Sequence, residues 1–275
     1  MLTEARRSLL LEAVREASRK AILPRFRNLA EGEIGQKSGP ADLVTLADTE
    51  AEALITEKVA PAWPEAVVLG EEAVAADPDA RQRMAEAEWA VIVDPVDGTW
   101  NFAKGLATFG VILAVCHKGQ PVFGALYDPV IDDWVEASAG QGAVLRGPAF
   151  SRPLRVSQET VQRRMNGYVP IGLYPMETRR KLVQEFPDFG RVTSLRCSCH
   201  EYRMVAQGHS DFVLSGPTPH PWDHAAGVLA VTEAGGVVRF LDGEPYRTER
   251  LKGVLLSASN EALWQELAAR FAYLA

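Results

Sequence analysis

Cysteine is scarce in this chain, with three thiols among 275 residues at positions 116, 197 and 199. So odd and sparse a set does not make a disulfide scaffold, and reduced cysteines are the expectation. Positive charge is also in deficit: 29 basic against 36 acidic side chains leave a net charge of −7 and a pI near 5.4. This argues against a surface for DNA or RNA, which needs clustered Lys and Arg to displace counterions. Long apolar runs are missing as well. Val111 to Cys116 is among the longest, far short of the roughly 20 residues that span a bilayer, so no membrane partner is expected. Leu9-Leu10-Leu11 is interrupted at once by Glu12, Arg15 and Glu16, which removes a signal-peptide core and predicts a cytoplasmic protein. Proline and glycine, at 17 and 22 residues, show no excess that would suggest disorder.

What is present is a hydrophobic fraction of 47% in a length sufficient for one large domain or two packed lobes. Leu9, Leu10, Ala13, Val14, Ala17, Ala21 and Ile22 recur at helical intervals before Pro24, predicting an opening helix over 4–22; Thr49 to Val59 reads the same way. The runs Ala90–Val93, Val111–Val115 and Val122–Tyr127 are rich in β-formers, and Lys118-Gly119-Gln120-Pro121 joins the last two as a hairpin would. Strands without intervening helices predict a largely antiparallel sheet. Further along, helices are expected over 179–185, 199–207 and 225–234, and strands over 237–241 and 254–257. A closing helix capped by Asn260 should run to Leu274. The division expected is an N-terminal α+β lobe, residues 1–147, and a C-terminal α/β lobe, residues 148–275.

Four short acidic segments carry the chemistry: Asp42-Leu43-Val44-Thr45-Leu46-Ala47-Asp48, Gly70-Glu71-Glu72, Asp94-Pro95-Val96-Asp97-Gly98-Thr99, and Trp222-Asp223-His224-Ala225-Ala226-Gly227. The apolar strand ending at Val93 delivers Asp94 at its C-terminal end, and Pro95 predicts a turn before Asp97 that lets the two carboxylates converge. Gly98 lets the backbone approach a ligand, and Thr99 opens a short helix. Like charges so close need a cation, and hard oxygen donors without His or Cys suit Mg²⁺. Taken singly, each segment has a plain alternative: a surface turn at Asp94–Gly98, a solvated loop at Glu71-Glu72, a helix-start acid at Asp223. Cys197-Ser198-Cys199-His200 reads either as a soft-metal site or as small buried thiols.

As a set, these segments resemble the inositol monophosphatase family of magnesium-dependent, lithium-sensitive phosphatases. The likeness extends from about residue 4 to the end and includes Gly140-Gln141-Gly142-Ala143 and Glu233-Ala234-Gly235-Gly236. It implies a layered α/β sandwich, with a large antiparallel sheet in the N-terminal lobe and a mixed sheet between helices in the C-terminal lobe. It further implies that Glu71, Asp94 and the carbonyl of Val96 hold one Mg²⁺, and that Asp94, Asp97 and Asp223 hold a second. A third ion near Glu71 is implied too, with Glu72 supporting from behind. Asp48 and Thr99 would orient and deprotonate the attacking water, the amides of Gly98 and Thr99 would receive the phosphate, and Asp223 would also face the substrate. The implied activity is hydrolysis of a small-molecule phosphate monoester by metal-activated water. A homodimer is common in the family.

The substrate pocket departs from the family pattern. The family's small Gly-Ser/Thr-Ala-Ala segment is represented by Arg196-Cys197-Ser198-Cys199, and a Glu of inositol-hydrolysing members is represented by Ser215. Arg196 reads either as a group that binds a second anionic moiety of the substrate or as a partner of Glu201. His220 and His224 are expected in helix-start packing or in solvent, since Mg²⁺ seldom recruits imidazole. Inositol phosphate, fructose 1,6-bisphosphate, histidinol phosphate and adenosine bisphosphate all remain open as substrates. An aspartyl-phosphate phosphatase is a second enzymatic reading, and a regulatory binding protein that retains the metal site is one of another class.

Overall fold

The computed structural model describes residues 2–30, 32–40, 42–77 and 79–275. Helix α1 (Glu4–Ala17) continues through a π-helical turn, Ser18–Ile22, so the apolar stripe of the opening segment is carried by two kinds of helix. A two-stranded ribbon, β1 (Ile34–Gly39) and β2 (Asp42–Thr45), precedes α2 (Leu46–Val59). Then come β3 (Ala66–Gly70), α3 (Glu71–Ala76), α4 (Ala80–Glu86), β4 (Trp89–Asp97) and α5 (Thr99–Ala103). The meander β5 (Gly110–His117), β6 (Gln120–Asp128), β7 (Asp133–Ser138), β8 (Ala143–Gly147) and β9 (Phe150–Pro153) follows. The remainder holds β10 (Asn166–Tyr168), α6 (Met176–Glu185), β11 (Arg191–Thr193), α7 (Ser198–Ala206), β12 (Phe212–Leu214), α8 (Pro221–Glu233), β13 (Val237–Phe240), β14 (Leu255–Ala258) and α9 (Glu261–Arg270).

Strands β3 to β9 form a seven-stranded sheet in chain order. It is antiparallel except for the β3–β4 pair. The second sheet has five strands in the order β11-β10-β12-β14-β13 and is mixed. The alternation of side chains along the strands sorts the core into layers. Val91, Val93, Leu113 and Val115 meet Leu10, Val14, Ala51 and Ile55 of α1 and α2, while Ala90, Ile92, Ile112 and Ala114 meet Tyr202, Ala225 and Leu229 of α7 and α8. In the smaller sheet Val213 and Leu255 turn to that same α7–α8 layer, and Phe212, Leu214 and Leu256 turn to Leu182 of α6 and Leu263 and Leu267 of α9. The product is a layered α/β sandwich in which α7 and α8 lie between two sheets. No helix among the described residues is long and apolar enough to cross a membrane.

Local signals explain the boundaries. Asn260 Oδ1 accepts the Leu263 amide at 2.9 Å, capping α9, which ends at Arg270 before a 3₁₀ turn rather than running on to Leu274. Gly235, at φ +96°, terminates α8 in the left-handed region. The apolar meander is longer than its sequence pattern suggested, because β7, β8 and β9 are short and carry charged residues, including Glu136 and Arg146, which pair across the β7–β8 ladder at 3.0 Å.

Candidate active site

Residues an odd number apart on a regular strand face opposite sides of a sheet, so Asp94 and Asp97 should point apart. The ladder between β4 and β5 prevents this. Asp94 faces Ile112 and Asp97 faces Gly110, so three steps on β4 match two on β5. One extra residue in the bulge returns Asp97 to the face of Asp94. The turn expected before Asp97 is thereby corrected: β4 runs on through Pro95, and a bulge, where proline is tolerated, makes the carboxylates converge.

Asp223 comes from the first turn of α8, held close to the sheet by small residues. A Cβ on Gly124 of β6 would sit 2.9 Å from the Cα of Ala226, and one on Gly227 would sit 2.2 Å from the Tyr202 ring. Carboxylate oxygens of Asp94, Asp97 and Asp223 thus lie within 4.8 Å of one another. At an effective dielectric near 20, two charges so spaced repel by about 3 to 4 kcal/mol. Burial, reinforced by Glu71 and the other two acids, pushes Asp94 well above the usual carboxylate range, and Asp223 is raised in the same way. Asp97 is raised by burial to about 6, with the shift restrained by the Cys199 amide and the Cys197 thiol, both of which donate to its Oδ2. A cluster of hard oxygen donors with this much mutual repulsion fits a divalent cation such as Mg²⁺.

Beside the triad stands a second pair. Thr45 and Asp48 form a capping box at the start of α2: the Thr45 amide and hydroxyl both donate to Asp48 Oδ2, at 2.8 and 2.5 Å. That leaves Oδ1 to accept the Thr99 hydroxyl at 3.2 Å; the same hydroxyl lies 3.0 Å from the Val96 carbonyl. Burial lifts Asp48 to about 7. Gly98 precedes Thr99 at φ +87°, and a Cβ there would meet the Thr108 carbonyl at 3.0 Å and the Arg196 carbonyl at 3.3 Å, so both handedness and space require glycine.

Two residues of this neighbourhood escaped the sequence reading. Lys37 of β1 donates to Glu71 Oε1 and Glu72 Oε1, each at 2.6 Å. Burial alone would lower its pKa, but the two carboxylates outweigh it and hold the ammonium charged. Lys37 lies in a polar ribbon with no pattern to mark it. Glu52, on α2, accepts the amides of Glu72 and Ala73 at 2.9 and 2.8 Å and so anchors the start of α3, where Glu71 sits. Gly70 leaves the room: a Cβ there would be 2.1 Å from the Glu52 carboxylate. The sign of Glu52 was in the sequence, since Asp48, Glu52, Ile55 and Val59 share one helical face.

Cys197-Ser198-Cys199-His200 does not gather around a point. The Cys197 thiol bonds Asp97, the Cys199 thiol lies 3.9 and 3.7 Å from the carbonyls of Val111 and Tyr127, and His200 Nε2 lies 3.0 Å from the Phe109 carbonyl. All three cysteines are buried free thiols. His224 is buried with its Nδ1 2.9 Å from the Tyr202 hydroxyl, and burial holds it down near pKa 3. His220 stacks on Trp222 at 4.8 Å, also as helix-start packing. Ser215 serves the fold, accepting the Leu255 amide and donating to the Gly216 carbonyl. Glu201 is buried and accepts the Ser194 hydroxyl and the Leu195 amide, while the exposed Arg196 lays its guanidinium 4.0 Å from the centre of the Trp100 ring.

A model of the inositol monophosphatase family matches residues 4–273. The Nus factor SuhB of Salmonella typhimurium is 34% identical over 256 residues, covering 86% of this chain and 87% of that protein. Inositol monophosphatase 2 of Solanum lycopersicum is 30% identical over 246 residues, covering 82% and 89%. In fold, an IMPase of Thermotoga maritima superimposes with a TM-score of 0.82 at 22% identity, covering 98% of both chains.

Proposed function

The chain belongs to the inositol monophosphatase family, and from that premise we propose that it is a Mg²⁺-dependent phosphatase that hydrolyses a small-molecule phosphate monoester by direct attack of water. The observation that carries the reading is the gathering of Asp94, Asp97 and Asp223 within 4.8 Å, next to the Asp48–Thr99 pair. Glu71, Asp94, Asp97, Asp223 and the carbonyl of Val96 would hold two or three Mg²⁺ ions. When bound, these ions supply the positive charge that phosphate-ester hydrolysis demands.

The remaining steps belong to the chain's own groups. Thr45 occupies one oxygen of Asp48 and leaves the other for Thr99. The attacking water gives a proton to Thr99 Oγ1 while the hydroxyl proton of Thr99 passes to Asp48 Oδ1. Burial, which disfavours the ionised carboxylate, makes Asp48 a stronger base than an exposed aspartate and so readier to accept it. The amides of Gly98 and Thr99 receive the phosphate oxygens, and Asp223 faces the leaving group. In this reading residues 1–147 form the lobe with most metal ligands and residues 148–275 the lobe with Asp223 and the substrate pocket. Inhibition by Li⁺, a homodimeric assembly and a cytoplasmic location belong to it as well.

The test is phosphate release from a panel of esters: inositol 1-phosphate, fructose 1,6-bisphosphate, histidinol phosphate and adenosine bisphosphate. Activity with Mg²⁺ that disappears in EDTA and returns on adding Mg²⁺ is expected; equal rates in EDTA would overturn the reading. A second reading, regulation by binding, is favoured by one observation, that the Salmonella relative is a Nus factor. Complementation of a gene deletion by the Asp94→Asn form would support it.

A further inference from the structure

Two of the three gathered acids are hydrogen-bonded, and they are held in different ways. Asp94 Oδ1 accepts the amide of Val96, two residues along its own strand, at 3.1 Å, whereas Asp97 Oδ2 accepts from the start of α7, 100 positions later in the chain. The Cys199 amide, in the first turn of that helix, donates to it at 2.5 Å, so Asp97 supplies an oxygen of the kind that a helix start needs. The Cys197 thiol lies 3.1 Å from the same oxygen and 3.6 Å from the Asp97 carbonyl, which makes the carboxylate the nearer acceptor. Both donors fall on Oδ2, and Oδ1 takes no hydrogen bond from the described residues. The last torsion of an aspartate is broad and roughly twofold, so bonds to one oxygen decide where the other points.

Cys197 is itself held fast. It is buried, and a Cβ on Gly98 would meet its Cβ at 3.2 Å. The loop before it is tied on two sides: Asn101 of α5 donates to the Leu195 carbonyl at 2.8 Å, and Glu201 of α7 accepts the Leu195 amide at 2.7 Å. Farther along α7, the Tyr202 hydroxyl lies 2.9 Å from Nδ1 of His224, the neighbour of Asp223, and Arg203 donates to the Leu126 carbonyl of β6. The helix start that grips Asp97 is thus anchored to α5, to α8 and to the seven-stranded sheet.

We propose that Cys197 is a positioning residue of the metal centre: its thiol, with the Cys199 amide, locks Oδ2 of Asp97 and so leaves Oδ1 for a divalent cation. The proposal rests on the Mg²⁺ reading above and deepens it. Losing a partner that orients a metal-binding side chain typically costs about 10- to 100-fold in metal affinity, and a thiol, a weak donor, belongs at the lower end.

The experiment titrates the metal-free protein with Mn²⁺ and reads the affinity by calorimetry, independently of turnover. Cys197→Ala, which removes the donor, should bind Mn²⁺ about tenfold more weakly than the wild type, and Cys197→Ser, which keeps one, should stay within about threefold. Cys197→Val and Cys197→Thr repeat the comparison with side chains of nearly equal size, so that a cavity left by alanine does not decide it. Cys116→Ala removes a buried thiol of β5 that has no bond to the three acids, and should bind as the wild type does. Melting in EDTA checks that each variant is folded. Alanine and valine variants that bind as tightly as the wild type, or serine and threonine variants that lose as much as these, would overturn the assignment while leaving the metal reading intact. A wild-type protein that binds no Mn²⁺ overturns the metal reading, and this one with it.

Discussion

Asp133 on β7 and Asp94 on β4 are both buried acids of the seven-stranded sheet, yet they are compensated in opposite ways. Asp133 meets the guanidinium of Arg203, which is itself buried on α7 and also donates to the Leu126 carbonyl at 2.7 Å. Asp94 meets more acid: Asp97, Asp223 and Glu71. The nearby cation, Lys37, is engaged by Glu71 and Glu72. Where a buried carboxylate serves the fold, the chain supplies its counter-charge. Where it serves the proposed chemistry, the counter-charge is left to come from outside.

Removing one acid from each group should therefore have opposite consequences. Asp94→Asn is expected to lower kcat by about a thousandfold or more, the scale of losing a preorganised electrostatic group. Its melting temperature in EDTA should not fall, since the substitution removes an acid whose ionised form is disfavoured by burial and by its acidic neighbours. Substantial activity in this variant, or its collapse as a fold, would erase the contrast. Arg203→Met tests the other side. It leaves Asp133 buried without its partner and should cost about 3 to 5 kcal/mol of stability in denaturant titration. A cost below about 1 kcal/mol would mean that the Asp133 pair is no more structural than a surface pair.

The smallest effect expected is the pH dependence of the metal-free protein. Asp48 and Asp97, raised by burial to about 7 and about 6, hold protons in the native state at pH values where the unfolded chain, with an ordinary pKa near 4, has lost them. The native state then binds more protons than the unfolded state between about pH 4 and 7, so stability should fall as pH rises through that window. His220 and His224, held by burial near 4 and 3, and His200, also lowered by burial, act with the opposite sign below their ordinary value of about 6.5, but the raised acids, which include Glu201 at about 7, Glu52, Glu72, Glu136, Asp94 and Asp223, outnumber them. Melting in EDTA should accordingly be lower at pH 8 than at pH 5, with the difference reduced by Mg²⁺, which favours the ionised acids. A melting temperature that rises across this range in EDTA would contradict the account of the triad.

Much of the layered fold was legible because its signals are local. The apolar stripes of α1 and α2, the hydrophobic runs of β4, β5 and β6, and the Asn260 cap all announce themselves within a few residues. The site was legible as a set of residue types but not as a geometry. That Asp94 and Asp97 share a face depends on the register of β4 against Gly110 and Ile112, which no stretch of β4 alone encodes. Lys37 reaches Glu71 from 34 positions away, and only folding reveals that pairing. Glu52 could have been noticed, because an acid on the buried face of a helix needs donors, and the amides opening α3 provide them.

The most direct measurement is anomalous diffraction from a crystal soaked in Mn²⁺, a stand-in for Mg²⁺ with the same preference for oxygen ligands. Peaks among the carboxylates of Asp94, Asp97, Asp223 and Glu71 are predicted, with Arg203 and Asp133 still paired and bare of metal. A map with no peak at those four acids would contradict the claim that their repulsion is resolved by a divalent cation.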